Sequence, residues 1–461
     1  MAAFNGFAPA LAACLAAGLL AGPAASDDKA PEAKQEEKTV RKAPATQAIR
    51  LAPVARAGVL TRLLGGADPV EKKDFSAESS HQQIKAIDVS GKDGSGKLQT
   101  LCLTADDKVV ALVGQGRYNA APPRSGAKPA PVKQEIHVYD ADGKLVKNWT
   151  VDFKASAVNV APSGNILVAG DGRFAFYDAS YQQLAAGEIP HLVDLKKNSA
   201  ALRTKAEERR KTIVASYQQM VDQFAAQAKK KAGDSKPKPG DDDEEGGAAP
   251  NSGLVKAYTN MLDQAKKKSV DDYVAEILGQ ALSVNGICAS DKEIFLVCGD
   301  TQGYGYSVWR YDLEMKGAKE TMKGLSGCCG QMDVQCCDGN LVVAENTKHR
   351  VAVYDRDGKL VRAFGRNDRE GKGDGFGSCC NPMNTRPVAN GEIYTAESEG
   401  FIKRFDKTGK FLGLVAEAKL TGGCKNVAVA ASKDGTRVYF CDLPGSRILY
   451  LAKKPAQVAA N

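Results

Sequence analysis

One short phrase of residues keeps returning along this chain, and a chain written that way has few folds open to it. Ile136-His137-Val138-Tyr139-Asp140 leads into Asp142-Gly143-Lys144, and Val351-Ala352-Val353-Tyr354-Asp355 into Asp357-Gly358-Lys359. Phe405-Asp406 leads into Thr408-Gly409-Lys410, while Phe176-Tyr177-Asp178 and Arg310-Tyr311-Asp312 are looser copies. A second apolar run precedes each, ending on a small residue and often an acid, as in Val342-Val343-Ala344-Glu345, Tyr394-Thr395-Ala396-Glu397 and Tyr439-Phe440-Cys441-Asp442. Short β-branched and aromatic runs between Asp, Gly and Asn turns read as antiparallel strands. A four-strand unit recurring about every 40 to 50 residues cannot bury both its faces alone, so its copies must stack side by side.

The units fall at 99–150, 155–189, 283–325, 330–366, 381–416 and 424–452. The expectation is an all-β, six-bladed β-propeller. The last unit runs out of chain before its fourth strand, and residues 83–89 form an otherwise unplaced strand ahead of the first unit. Pairing the two would close the ring and remove two open edges.

Ala344-Glu345-Asn346-Thr347-Lys348-His349-Arg350-Val351-Ala352-Val353-Tyr354-Asp355, followed by Leu360-Val361-Arg362-Ala363-Phe364-Gly365, resembles the central line of an NHL repeat. Gly373-Asp374-Gly375-Phe376, shortly before Asn381-Pro382, resembles the link between successive NHL blades. The resemblance spans about residues 80–453 and is most complete in the fourth and fifth units. It implies a non-catalytic propeller that presents one rim to a protein, glycan or other ligand. Some six-bladed relatives are instead metal-dependent lyases, lactonases or hydrolases.

Two passages break the repeat. Tyr118 to Pro131 is a Pro-rich loop inside the first unit, and 190–282 lies between the second and third. In the latter, Ile213, Tyr217, Met220 and Phe224, then Val270, Tyr273, Val274, Ile277 and Leu278, have helical spacing and predict a helical hairpin. Between them, Lys236-Pro237-Lys238-Pro239 and Asp241 to Glu245 are low-complexity. The hairpin either decorates a loop or caps the channel mouth.

The ends suggest export. Residues 7–22 are almost wholly apolar and stop at Ala24-Ala25-Ser26, which reads as a signal peptide over 1–26. Residues 27–79 then form a linker, and 454–461 a tail. Leu11-Ala12-Ala13-Cys14 matches a lipoprotein box, which leaves lipidation of Cys14 open. No other stretch approaches the roughly 20 apolar residues of a spanning helix, so the mature chain is expected in the periplasm, on the cell surface or outside the cell. Its partner would be a protein or other extracytoplasmic ligand. The net charge of +8 comes from intermixed signs without a basic run, which argues against nucleic-acid binding.

Twelve cysteines become eleven if Cys14 leaves with the signal, so complete internal pairing is ruled out. Cys328, Cys329, Cys379, Cys380 and Cys424 precede the first strands of units four to six at similar spacings and should share one rim. The turns that carry His349, Glu345, Glu397 and Asp442 should reach the same rim. Thiolate, imidazole and carboxylate together suit a soft divalent metal, zinc or copper. Disulfides are the open alternative, and vicinal cysteines would also permit a thiol–disulfide redox role. Glu345, Glu397 and Asp442 are the candidate ligand-binding residues of a metal-free rim. Cys102, Cys288, Cys298 and Cys441 read as small packed residues, and Cys336-Cys337 as a turn on the opposite side. His81, His137 and His191 show no ligand spacing.

Overall fold

A computed structural model of the chain describes residues 78–89, 96–114, 134–234, 252–301, 305–327, 330–368, 370–371, 373–378, 380–420 and 427–455. The expected signal peptide, Cys14, most of the linker, the Pro-rich loop and the acidic tract lie outside them.

The strand β1 (His81–Asp88) comes first. The first sheet is β2 (Lys97–Leu103), β3 (Val109–Gly114), β4 (Gln134–Tyr139) and β5 (Leu145–Val151). The second is β6 (Ala157–Val160), β7 (Ile166–Gly170), β8 (Arg173–Tyr177) and β9 (Gln183–Glu188). Four helices follow: α1 (Pro190–Lys197), α2 (Ser199–Asp234), α3 (Ser252–Lys267) and α4 (Val270–Leu282). The third sheet is β10 (Val284–Ala289), β11 (Glu293–Gly299), β12 (Tyr306–Asp312) and β13 (Lys319–Leu325), and the fourth β14 (Val334–Cys337), β15 (Asn340–Glu345), β16 (Arg350–Tyr354) and β17 (Leu360–Phe364). A short parallel pair, β18 (Arg366–Asn367) and β19 (Gly375–Phe376), leads on to the fifth sheet of β20 (Asn384–Pro387), β21 (Ile393–Ala396), β22 (Phe401–Phe405) and β23 (Phe411–Glu417). The sixth is β24 (Val429–Ala431), β25 (Arg437–Asp442) and β26 (Arg447–Lys453), with β1 as its fourth strand.

The strand expected at 83–89 thus pairs antiparallel with β26, from His81 opposite Lys453 to Asp88 opposite Arg447. The imidazole of His81 pins it further, with Nε2 2.8 Å from the Gly435 carbonyl oxygen. Neighbouring first strands pack in a closed cycle: β2 on β6, β6 on β10, β10 on β14, β14 on β20, β20 on β24, and β24 back on β2. That cycle is propeller-like. Burial follows the same radial order: β3 and β7 are buried at every residue, as strands covered on both faces must be, whereas β5 and β9 are mostly exposed.

The recurring Asp has a local cause. Asp140 Oδ1 accepts the backbone N–H groups of Asp142 and Lys144 at 3.0 and 2.9 Å, and Asp178, Asp312, Asp355 and Asp406 each hold the residues two and four positions on in the same way. Each turn from third to fourth strand is therefore closed by one side chain. The turn glycine adds a second constraint. Gly143 and Gly409 have φ of +77° and +94°, and a Cβ would lie 2.4 Å from Ile87 Cδ1 at Gly143 and 2.5 Å from Phe364 at Gly409. These two turns therefore lean on the outermost strand of the preceding sheet, and Gly143 does so across the seam between the sixth sheet and the first.

Among the described residues the helical region departs from the expected hairpin, with four helices instead of two. Met220 on α2 packs on Tyr258 of α3, and Leu202 and Ala206 of α2 pack on Tyr273 and Ile277 of α4. Its stem belongs to the sheet core: Leu192 and Ala281 are buried with Phe174, Leu296 and Tyr311. Among the described residues no helix is long and apolar enough to cross a membrane.

Candidate functional site

In an antiparallel four-stranded sheet, the turn between second and third strands and the link to the next sheet share one end. That rim holds the three candidate carboxylates. Glu345 closes β15, is fully buried, and receives Lys348 Nζ at 2.7 Å and Arg350 Nε at 2.5 Å. Glu397 follows β21, equally buried, with Lys403 Nζ 2.6 Å away and the Gly377 N–H and Asn381 Nδ2 donating to its other oxygen at 3.1 and 3.3 Å. Asp442 ends β25, buried, and accepts from Arg447 Nε at 3.1 Å. In each of these three sheets the acid at the end of the second strand is met by a cation from the turn or third strand. The rim carboxylates are thus braces at sheet corners, with no face turned to solvent.

Glu397 is the most perturbed of them. Burial pushes its carboxyl up to about 7, against the pull of the Lys403 ammonium. Lys403 is itself buried, donates to the Gly375 carbonyl, and its Nζ lies 5.3 Å from the Phe376 ring centre. The pair therefore ties the link from the fourth sheet to the corner of the fifth.

Of the rim cysteines, Cys380 is buried among Met383, Tyr394 and Ala396, while Cys328, Cys329, Cys379 and Cys424 lie outside the described residues. His349 follows a short 3-10 turn (Asn346–Lys348) with φ of +52°. Among the described residues no group of three or more His, Cys, Asp and Glu side chains could hold a metal ion.

The structure adds a polar network that the sequence reading missed. Arg386 on β20 reaches across the ring, donating from Nη1 to Gln335 Oε1 of the fourth sheet at 2.8 Å and to Asn159 Oδ1 of the second at 3.1 Å. Gln335 Nε2 donates to Asp333 Oδ1 at 2.7 Å, and Asp333 Oδ2 accepts the Thr385 N–H at 2.8 Å. Burial raises the Asp333 carboxyl, opposed by the Arg386 charge. In the cycle of first-strand contacts β6 and β20 are not neighbours, and this contact joins them directly. The signal was available as polar residues in innermost strands.

His191, which shows no ligand spacing in the sequence, is the joint of the helical stem. Its ring stacks on Trp309 at 3.9 Å and 7°, bonds to the Tyr311 hydroxyl, and burial pushes its pKa down to about 3. A cleft of about 310 Å³ opens beside it, lined by Asn198, Lys205, Glu320 and Lys323. A second of similar volume lies between the fourth and fifth sheets, lined by Cys337, Arg362, Lys407 and Thr408. Cys102, Cys298 and Cys441 are buried in three different seams between sheets.

No protein-family model matches the chain. No curated protein matches it. Among solved structures, a catalytically inactive virginiamycin B lyase from Staphylococcus aureus, with quinupristin, is similar over 80% of this chain and 99% of its own, at 11% identity and a TM-score of 0.37. Chaetomium thermophilum Raptor is similar over 82% of this chain, at 10% identity and a TM-score of 0.39, and this chain covers 30% of that longer one. Likenesses this distant carry no statement about reaction, substrate or partner.

Proposed function

We propose that this chain is an exported six-bladed propeller of NHL type, with a helical insertion between its second and third blades, acting as a non-catalytic scaffold that presents one rim to a protein or other extracytoplasmic ligand. The observation that carries the reading is the pairing of Glu345, Glu397 and Asp442 with Arg350, Lys403 and Arg447. Acids spent on bracing corners hold rim turns in fixed positions, and a preorganised surface loses less freedom on binding. Lys348 remains half-exposed beside Glu345 and offers a charge to that surface.

A photo-crosslinking residue placed at Lys348 on the rim, or at Lys359 in the turn at the opposite end, tests this in the exported fraction. A discrete adduct is expected from position 348 and none from 359. Adducts from 359 alone, or a chain retained in the cytoplasm with its first 26 residues uncleaved, would overturn the proposal.

A further inference from the structure

Cys288 lies on β10 and Cys336 on β14, the innermost strands of the third and fourth sheets, and their sulfurs are 3.0 Å apart. The two side chains face one another across the seam filled by Val297, Val308, Met332 and Val343. Cys337 does not share that face. Neighbouring residues in a strand point to opposite sides, and Cys337 packs with Val342, Val351 and Ile393 toward the fifth sheet. A vicinal Cys336–Cys337 bridge would need β14 to be broken. The cross-seam pair needs only that two facing sulfurs close to the roughly 2.05 Å of a disulfide.

We propose that Cys288 and Cys336 are a disulfide-forming pair that staples the third sheet to the fourth. The oxidant is a low-molecular-weight disulfide. Cys336, the more exposed of the two, attacks one of its sulfurs as thiolate, breaking that S–S bond, forming a mixed disulfide and releasing one thiol. Cys288 then attacks the Cys336 sulfur, forming the cross-seam bond and releasing the second thiol. Two cysteines are oxidised, one external disulfide is reduced, and the two cysteine protons leave with the released thiols. Burial, and then the hydrogen bond to Cys288, hold the Cys336 thiol well above its ordinary range. Exchange is therefore slower than at an exposed thiol.

The test is peptide mapping of the full chain after equilibration in oxidised and reduced glutathione, followed by alkylation under denaturing conditions. Cleavage before aspartate isolates 333–337 and 272–290, each with one side of the pair. The expected product joins them with the loss of two hydrogens, persists in Cys337→Ser, and disappears in Cys288→Ser. Cys102, Cys298 and Cys441 should be recovered as alkylated thiols. The oxidised chain should also melt several degrees higher than the same chain treated with dithiothreitol. Recovery of Cys288 and Cys336 as free thiols at the most oxidising ratio, or of Cys336 joined to Cys337, would overturn the proposal.

Discussion

Lys403→Met should destabilise the chain in a pH-dependent way. The variant keeps the apolar stem against Phe376 and removes the ammonium 2.6 Å from Glu397. Both partners are buried, and removing one member of such a pair costs about 3–5 kcal/mol when the other must stay charged. The sign follows from Glu397, whose carboxyl is raised from 4.5 to about 7. Between those values the folded chain holds a proton that the unfolded chain has lost. This contribution is full below pH 4.5, falls as pH rises through 7, and amounts to about 3 kcal/mol over the window. Without Lys403 the carboxyl rises further. The variant's loss should therefore be largest at pH 8 and about 1 kcal/mol or less at pH 5, where Glu397 is neutral. Lys403→Met combined with Glu397→Leu should recover most of the loss, because an apolar pair leaves no buried charge. Equilibrium urea unfolding at the two pH values reads this directly. A loss equal at both, or larger at pH 5, would refute the reasoning.

Asp355→Ala should cost about 1–2 kcal/mol by orphaning the Asp357 and Lys359 N–H groups, read as a lower urea midpoint with an unchanged slope. Arg386→Ala should cost about 3 kcal/mol, because it strips the buried Asp333 of its cation and cuts the tie across the ring, and thermal unfolding would measure it. Replacing 199–268 with a Gly-Ser linker should leave the sheets folded, whereas replacing 190–282 also removes Leu192 and Ala281 from the sheet core and should lower the melting temperature sharply.

What the sequence revealed and what it hid divide along a physical line. Turn chemistry is local, so Asp140, Asp355 and Asp406 could be read directly, because each closes a turn within four residues of itself. The unplaced strand at 83–89 was legible for a different reason: the last unit lacked a partner for Ile448 and Tyr450, and backbone edges seek one. The helix at 252–267 went unread although Leu254, Tyr258, Met261 and Leu262 have helical spacing, since the low-complexity text before it drew the boundary too late. Glu345, Glu397 and Asp442 resemble ligands when taken alone, but a cation that pairs with each follows within six residues. Arg386 and Asn159 could not be joined from sequence at all, because their contact exists only once the ring has closed.

The rim acids are either braces or the remains of a metal site. Elemental analysis of the purified chain decides between them. The braced reading predicts substoichiometric zinc and copper, unchanged in Cys379→Ser with Cys380→Ser. One equivalent of either metal, lost in that double variant, would contradict it.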